Sequence, residues 1–268
     1  MKPVVTSILR RLRDQIASRG IHIRTVRGRE HWRAGIEIVW WPFDNRTERA
    51  IISHVKKFGK EAVFLVRDQK DYIQSHFLAG NYYAEDELKI IQQYYVGGTF
   101  VDVGANVGNH SLFAAIVLKA PKVFAVEPFP EAYRILRCNI ALNDLASTIT
   151  HLPMALSSSE GLGSMKALDG NIGLAILSEG PGDIPIHIGD HVFQTEKVGF
   201  VKIDVEGSEM MVLNGLYETM ARCRPPAMIE VDNENTEAFS LFCKRLDYRI
   251  VEQRSPYRDN TYFMILPN

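Results

Sequence analysis

From about residue 99 onward, short runs rich in β-forming residues alternate with longer stretches whose apolar positions recur at helical spacing. Strands are predicted at Thr99–Val103, Lys122–Glu127, Thr148–Leu152, Phe200–Asp204 and Ala227–Val231, with helices at about 109–120, 129–142, 207–222 and 234–246. Such alternation is the signature of βαβ units and a mainly parallel sheet. Two last runs, near Tyr248–Gln253 and Tyr262–Leu266, flank the turn-prone Asp259-Asn260 and predict an antiparallel hairpin. The expected fold is α/β and doubly wound: a mainly parallel, seven-stranded, Rossmann-like sheet with a C-terminal antiparallel hairpin.

Two regions depart from this rhythm. Residues 154–199 are rich in glycine and serine and too long for a plain loop. Strand-like pieces at about 172–177 and 184–188, covering the site, are predicted there. In the first 95 residues, a basic helix from about 3 to 18, strands near Gly35–Trp41 and Ala62–Val66, and a helix from about 84 to 95 are expected. Val5, Ile8, Leu12 and Ile16 form one stripe of the first helix, with Arg10, Arg11, Arg13 and Arg19 around it. Docking on the body is the simpler reading of that stripe, although a basic amphipathic helix also suits a membrane surface. The chain therefore divides into an N-terminal α+β extension, 1–79, packed on a catalytic domain, 80–268.

Composition narrows the function classes. Apolar residues make up 46% and charged residues 24% of the 268, an ordinary globular mix. A net charge of -1 gives no whole-protein argument for nucleic-acid binding, and no nucleic-acid partner is expected. Cys138, Cys223 and Cys243 are odd in number and widely spaced, which suggests neither a disulfide framework nor a zinc site and fits a reducing cytoplasm. No apolar run approaches the roughly 18 residues of a membrane span, and no signal peptide is evident at the N-terminus.

The run Gly98-Thr-Phe-Val-Asp102-Val-Gly104-Ala105-Asn106-Val-Gly108-Asn109 is a buried strand ending in a glycine turn that opens a helix. Gly104 can take positive φ and let a ligand approach the backbone, while Gly108 lets the helix start against the strand. A dinucleotide fingerprint is excluded, because the later glycines of G-x-G-x-x-G would fall at Asn106 and Asn109. S-adenosylmethionine carries no phosphate and presents an amino-acid tail, so polar side chains are welcome beside it. Asp102 is placed to receive its ammonium, directly or through water, and the helix start near Asn109 favours its carboxylate. Glu127 lies roughly 20 residues past the turn, the separation at which an acid meets a ribose diol in this topology. Pro128 then turns the chain away, and Ala155, within Pro153-Met-Ala-Leu-Ser157, falls where an adenine would lie.

Val201-Lys202-Ile-Asp204-Val-Glu206-Gly-Ser-Glu209 leaves the fourth strand at the carboxyl edge of the sheet, where ligands bind in open α/β folds. Asp204 and Glu206 share a side if the strand persists, whereas a turn at Val205 would send them apart. The Asn/Asp-Pro-Pro-aromatic run common in enzymes that methylate nitrogen is absent, which points to an oxygen acceptor. Candidate bases for deprotonating it are Asp204, Glu206, Glu230 and His187. The cluster His187-x-x-Asp190-His191 lacks a further clear ligand, so no metal is expected.

In order along the chain, Gly80-Asn-Tyr-Tyr, the Asp102 turn, Ala125-Val-Glu-Pro128, Cys138-Asn-Ile-Ala-Leu-Asn143, Met154-Ala-Leu-Ser157, Lys202-Ile-Asp-Val-Glu-Gly207, Val212-Leu-Asn-Gly215 and Arg224-Pro-Pro226 resemble the FkbM-type S-adenosylmethionine-dependent O-methyltransferases. The resemblance implies a class I methyltransferase fold, with Asp102, Gly104, Asn106, Gly108 and Glu127 serving the cofactor and Asp204 and Glu206 in the active centre. It also implies a hydroxylated acceptor on a glycan, glycolipid or small metabolite. An NAD-dependent oxidoreductase and a cofactor-binding module without catalysis are the rival readings. The acceptor and the oligomeric state are not legible in the sequence.

Overall fold

The computed structural model describes residues 24–25, 36–43, 46–168, 171–255 and 258–268. Its first unit is an antiparallel sheet of β1 (Arg24–Thr25), β2 (Ile36–Phe43), β3 (Arg46–Lys57) and β4 (Lys60–Val66), ordered β1-β2-β3-β4. Helix α1 (Tyr72–Leu78) follows; its cap is Asp71, whose carboxylate accepts the Gln74 N–H at 2.8 Å. Helix α2 (Glu85–Tyr94) then leads into the central sheet.

The central sheet contains β5 (Thr99–Val103), β6 (Val123–Val126), β7 (Ile149–Leu152), β12 (Val198–Ile203), β13 (Ala227–Asp232), β14 (Tyr248–Arg254) and β15 (Asn260–Pro267). The order is β14-β15-β13-β12-β5-β6-β7, and β15 alone runs antiparallel to its neighbours. The doubly wound, seven-stranded fold with a reversed hairpin is thus present. Its helices are α3 (Asn109–Ile116), α4 (Pro130–Leu142), the short α5 (Gly189–Val192), α6 (Glu209–Gly215), α7 (Tyr217–Cys223) and α8 (Thr236–Arg245). The single helix expected over 207–222 is two, broken at Leu216. A Cβ on Gly215 would lie 2.0 Å from the Ser157 carbonyl oxygen, so the chain packs there without a side chain and turns.

The 154–199 segment forms a third sheet. It consists of β8 (Ala155–Ser157), β9 (Gly161–Leu168), β10 (Asn171–Glu179) and β11 (Ile184–Ile188), ordered β10-β9-β11-β8. Two of these strands were legible as strand-like pieces; β8 and the glycine-bearing β9 were not. The basic helix expected at 3–18, and with it any membrane-surface role for it, lies outside the described residues. No helix among the described residues is long and apolar enough to cross a membrane.

One apolar cluster joins the first sheet to the central layer, with Phe64, Phe77, Phe113, Leu136 and Phe200 all fully buried in it. The join is polar as well. β4 is an edge strand, and the side chains of α4 satisfy its backbone. Asn143 accepts the Val63 N–H at 2.8 Å and donates to the Val63 carbonyl at 2.7 Å. Asn139, fully buried, accepts the Leu65 N–H and donates to the Val107 carbonyl, both at 2.7 Å. The glycine turn is therefore fastened to the first sheet through one asparagine.

Candidate active site

The carboxyl ends of β5, β6, β12 and β13 open into a cavity of about 540 Å³, roofed on one side by Met165, Ala175 and Leu177 of the third sheet. That volume suits a cofactor or a small ligand. The glycine turn forms its floor. Gly104 has φ +77°, and a Cβ there would sit 1.7 Å from the Asp204 carbonyl oxygen, so no other residue fits without moving β12. Gly104 and Ala105 both donate to the Val126 carbonyl at 3.0 Å. Asn106 takes φ +50° and folds its side chain back to accept the Val107 N–H at 2.8 Å. Gly108, at φ +95°, precedes α3, whose start carries no side-chain cap. Asn109 clamps the Tyr83 backbone with two hydrogen bonds of 3.0 Å.

Glu127 is buried beside this turn, its Oε2 accepting the Asn106 N–H and its Oε1 the Phe129 N–H, each at 2.7 Å. Burial raises its pKa to about 7 against the pull of those two donors. Each oxygen keeps a further lone pair, the capacity a vicinal diol requires. Pro128 and Ala155 line the same wall.

Asp102 is not on the wall. It is fully buried, Oδ2 accepts the Ser111 hydroxyl at 2.6 Å, and Oδ1 lies 3.4 Å from Lys202 Nζ without a hydrogen bond. A direct contact with the cofactor's ammonium is therefore corrected: its partners are Lys202, directly opposite in the neighbouring strand, and the first turn of α3. Lys202 is itself buried, donating to the Gly104 carbonyl at 2.9 Å and lying 3.3 Å from Asp204 Oδ2. Burial alone would lower its pKa, but Asp204 and Asp102 overcome this and raise it. It joins the glycine turn to the strand end where the second half of the site begins.

That second half is acidic. Oxygens of Asp204, Glu206 and Glu230 all lie within 4.8 Å of one another. The expected alternative, that a turn after β12 would separate Asp204 from Glu206, is not what forms. β12 ends at Ile203, and the left-handed pair Glu206 (φ +49°) and Gly207 (φ +89°) swings Glu206 back toward Asp204. Burial, the Asp204 charge and a hydrogen bond with Asp204 push Glu230 up to about 11. Burial opposes ionisation of Asp204 too, but Lys202 and the Glu230 hydrogen bond hold its pKa below the usual value. Asp204 is thus ionised, and the Glu230 carboxyl donates to it. Burial, with Asp204 and Glu209 beside it, pushes Glu206 up to about 7. Burial does the same to Glu209, which folds back to accept the Gly207 N–H at 2.6 Å. Among the described residues this trio alone has the donor set for a hard cation, yet a Glu230 proton shared with Asp204 disfavours an ion there.

His187 lies elsewhere. It is on β11, outside the cavity wall, with Nδ1 2.8 Å from Glu160 Oε2 and a side chain 41% exposed. His191 meets the same Glu160 at 3.0 Å, and Asp190 accepts the Glu218 and Thr219 N–H groups at the start of α7. These contacts account for the cluster structurally and leave His187 outside the cavity that holds the acids. Sequence reasoning passed over Lys202 and His110. The signal for Lys202 was a charge inside an apolar strand; for His110, an imidazole one residue beyond the Asn109 of the turn.

Residues 102–250, more than half of the chain, match the methyltransferase FkbM domain. The chain belongs to the FkbM methyltransferase family. Its methyl donor is S-adenosylmethionine, and a nicotinamide-dependent oxidoreductase is set aside. Similar proteins include Methyltransferase sdnD of Sordaria araneosa, 30% identical over 44% of this chain and 60% of that protein. The hexuronic acid methyltransferase AglP of Haloferax volcanii is 36% identical over 44% of this chain and 50% of its own length. The chain thus spans 50% to 60% of these relatives. A crystal structure of methyltransferase FkbM from Methylobacillus flagellatus KT is 17% identical, covering 71% of this chain and 53% of that one at a TM-score of 0.47.

In this FkbM-family chain the residues fit the donor. Gly104 lines the cavity and lets the turn close against the Asp204 carbonyl, Glu127 offers two acceptors, and the Ala155 wall is apolar. The acids also set a pH dependence. A carboxyl with a raised folded pKa gives stability that is complete below its unfolded value, near 4.5, and is lost as pH rises toward the folded one. Glu127, Glu206 and Glu209 all move up to about 7, and Glu230 further. The thermal midpoint of the ligand-free protein is expected to fall steadily from about pH 5 to about pH 8, less steeply in Glu230→Gln. A midpoint that rises over this window contradicts these assignments.

Proposed function

We propose that the chain transfers a methyl group from S-adenosylmethionine to a hydroxyl oxygen of a glycan, glycolipid or small secondary metabolite. The carboxyl cluster at the ends of β12 and β13 carries this reading. In-line transfer breaks the sulfur–methyl bond, forms an oxygen–methyl bond and releases the hydroxyl proton, so a base must stand beside the acceptor. Glu206, raised to about 7, is partly ionised at neutral pH and a better proton acceptor than an ordinary carboxylate. Asp204, kept charged by Lys202, and the protonated Glu230 provide an acceptor and a donor for neighbouring hydroxyls.

A wall of carboxylates, with a net charge of -1 for the chain, disfavours a polyanionic acceptor such as nucleic acid. The name of the AglP relative brings a sugar acid forward as one candidate acceptor. The three cysteines are free, which suits a reducing, cytoplasmic setting. The test supplies the protein with S-adenosylmethionine carrying a deuterated methyl group and a panel of neutral sugars, hexuronic acids, glycolipids and hydroxylated metabolites. Mass spectrometry and NMR then locate the label. Transfer to a hydroxyl oxygen is expected; label on nitrogen or carbon refutes O-methylation.

A further inference from the structure

Beyond the glycine turn and the acidic trio, the cavity has a further wall drawn from two distant parts of the chain. Tyr72, Ile73 and Tyr83 reach it from the N-terminal side, and Asp232, Asp259 and Asn260 from the ends of β13 and β15. Tyr72 opens α1, whose start is fixed by the Asp71 cap and by Gln74, which accepts the Arg67 N–H at 2.8 Å. Tyr72 is 56% exposed and meets Tyr83 edge-to-face, the ring centroids 5.8 Å apart. His76, one turn further along α1, braces the two rings at 5.0 and 5.5 Å. Through its clamp on the Tyr83 backbone, Asn109 fastens this aromatic corner to the start of α3.

The hairpin side is rich in acceptors. In the register of β13 against β15, Glu230 pairs with Tyr262 and Asp232 with Asn260. A spacing of two along each strand puts these four side chains on one face. Asn260 Oδ1 is buried at this wall without a hydrogen-bond donor. Such an orphaned acceptor costs free energy until a ligand or water supplies the donor. Among the described residues, the basic side chains of the wall are Lys202 and His110. Both already stand beside carboxylates, Lys202 with Asp102 and Asp204, and His110 with Glu87 at 3.7 Å.

We propose that this wall is the acceptor subsite and that it takes an uncharged sugar ring, its C–H face on Tyr72 and its hydroxyls donating to Asn260, Asp232 and Asp259. The inference rests on the reading of methyl transfer to a hydroxyl and narrows it. A pyranose joins an apolar face to a rim of hydroxyl donors. The first suits the negative face of an aromatic ring, and the second suits a wall of acceptors. A planar phenol would cover the rings but leave Asn260 Oδ1 and the carboxylates desolvated without enough donors. A sugar acid would bring its own carboxylate among Asp204, Asp232 and Asp259, where like charges weaken binding.

Ligand-observed NMR titrations of the full chain, with saturating S-adenosylhomocysteine, test this. The probes are the methyl pyranosides of glucose, galactose and mannose, the methyl glycosides of the matching uronic acids, and a dihydroxynaphthalene. At least one pyranoside is expected to bind at least about tenfold more tightly than its uronic partner. Tyr72→Ala should weaken that pyranoside about threefold or more, and Tyr72→Trp should restore it. Asn260→Leu should weaken it by a similar, about threefold, factor and leave the naphthalene unaffected. Affinity for S-adenosylhomocysteine should stay within about twofold of wild type in all three variants, which also shows that they fold. The inference is overturned if no pyranoside binds, if a uronic acid binds as tightly as its partner, if the naphthalene binds more tightly than every pyranoside, or if Tyr72→Ala changes nothing. Each of these results leaves hydroxyl methylation standing. Failure of the wild type to bind S-adenosylhomocysteine would overturn the donor reading and this inference together.

Discussion

Lys202→Met is expected to destabilise the protein by about 3–5 kcal/mol, measured by urea denaturation, the cost of breaking a buried charge pair by removing one partner. Asp102 is fully buried, and its Oδ1 has no hydrogen-bond donor, so the ammonium 3.4 Å away is its counter-charge. Methionine fills the volume of the stem but leaves the Asp102 carboxylate alone in the core. It also removes the donor to the Gly104 carbonyl and frees Asp204 to share the Glu230 proton differently. The double variant Lys202→Met with Asp102→Asn should recover a large part of the loss, because no buried charge then stands unpaired. A single variant within about 1 kcal/mol of wild type would show that Asp102 is not held by this contact.

Gly104→Ala should abolish donor binding without unfolding the chain. Positive φ costs a non-glycine residue about 1–3 kcal/mol, and here the added methyl carbon also meets the Asp204 carbonyl oxygen at 1.7 Å. Backbone cannot rotate away as a side-chain tip does, so either the turn or the end of β12 must shift, and both form the site. Affinity for S-adenosylhomocysteine is expected to drop by about 100-fold or more, equivalent to roughly 2.7 kcal/mol. Gly161→Ala is the control, since a Cβ there meets nothing within 4 Å. Equal affinity of Gly104→Ala and wild type would mean that the donor does not lie over this turn.

The βα half of the chain was legible because apolar periodicity dictates it: each predicted central strand and each helix start falls within a few residues of the observed element. The glycine turn was legible for the same local reason, since Gly104 and Gly108 both need positive φ. What escaped was set by packing rather than by local pattern. β3 begins with Arg46-Thr-Glu-Arg and β9 reads Gly161-Leu-Gly-Ser, neither of which resembles a strand until its neighbours pair with it. Asp102 looked like a cofactor ligand because its strand ends at the site. Only the register of β12 against β5 reveals Lys202 opposite it. His187 appeared as a candidate base for its residue type alone, and the fold gives it to Glu160.

The account stands on a donor site whose ribose end is Glu127, and calorimetric titration of S-adenosylhomocysteine into wild type and Glu127→Ala tests it most directly. Saturable binding to the wild type, weakened at least about tenfold in Glu127→Ala, is predicted from the loss of a charged hydrogen-bond acceptor. Failure of the wild type to bind, or equal affinity in the two proteins, would contradict it.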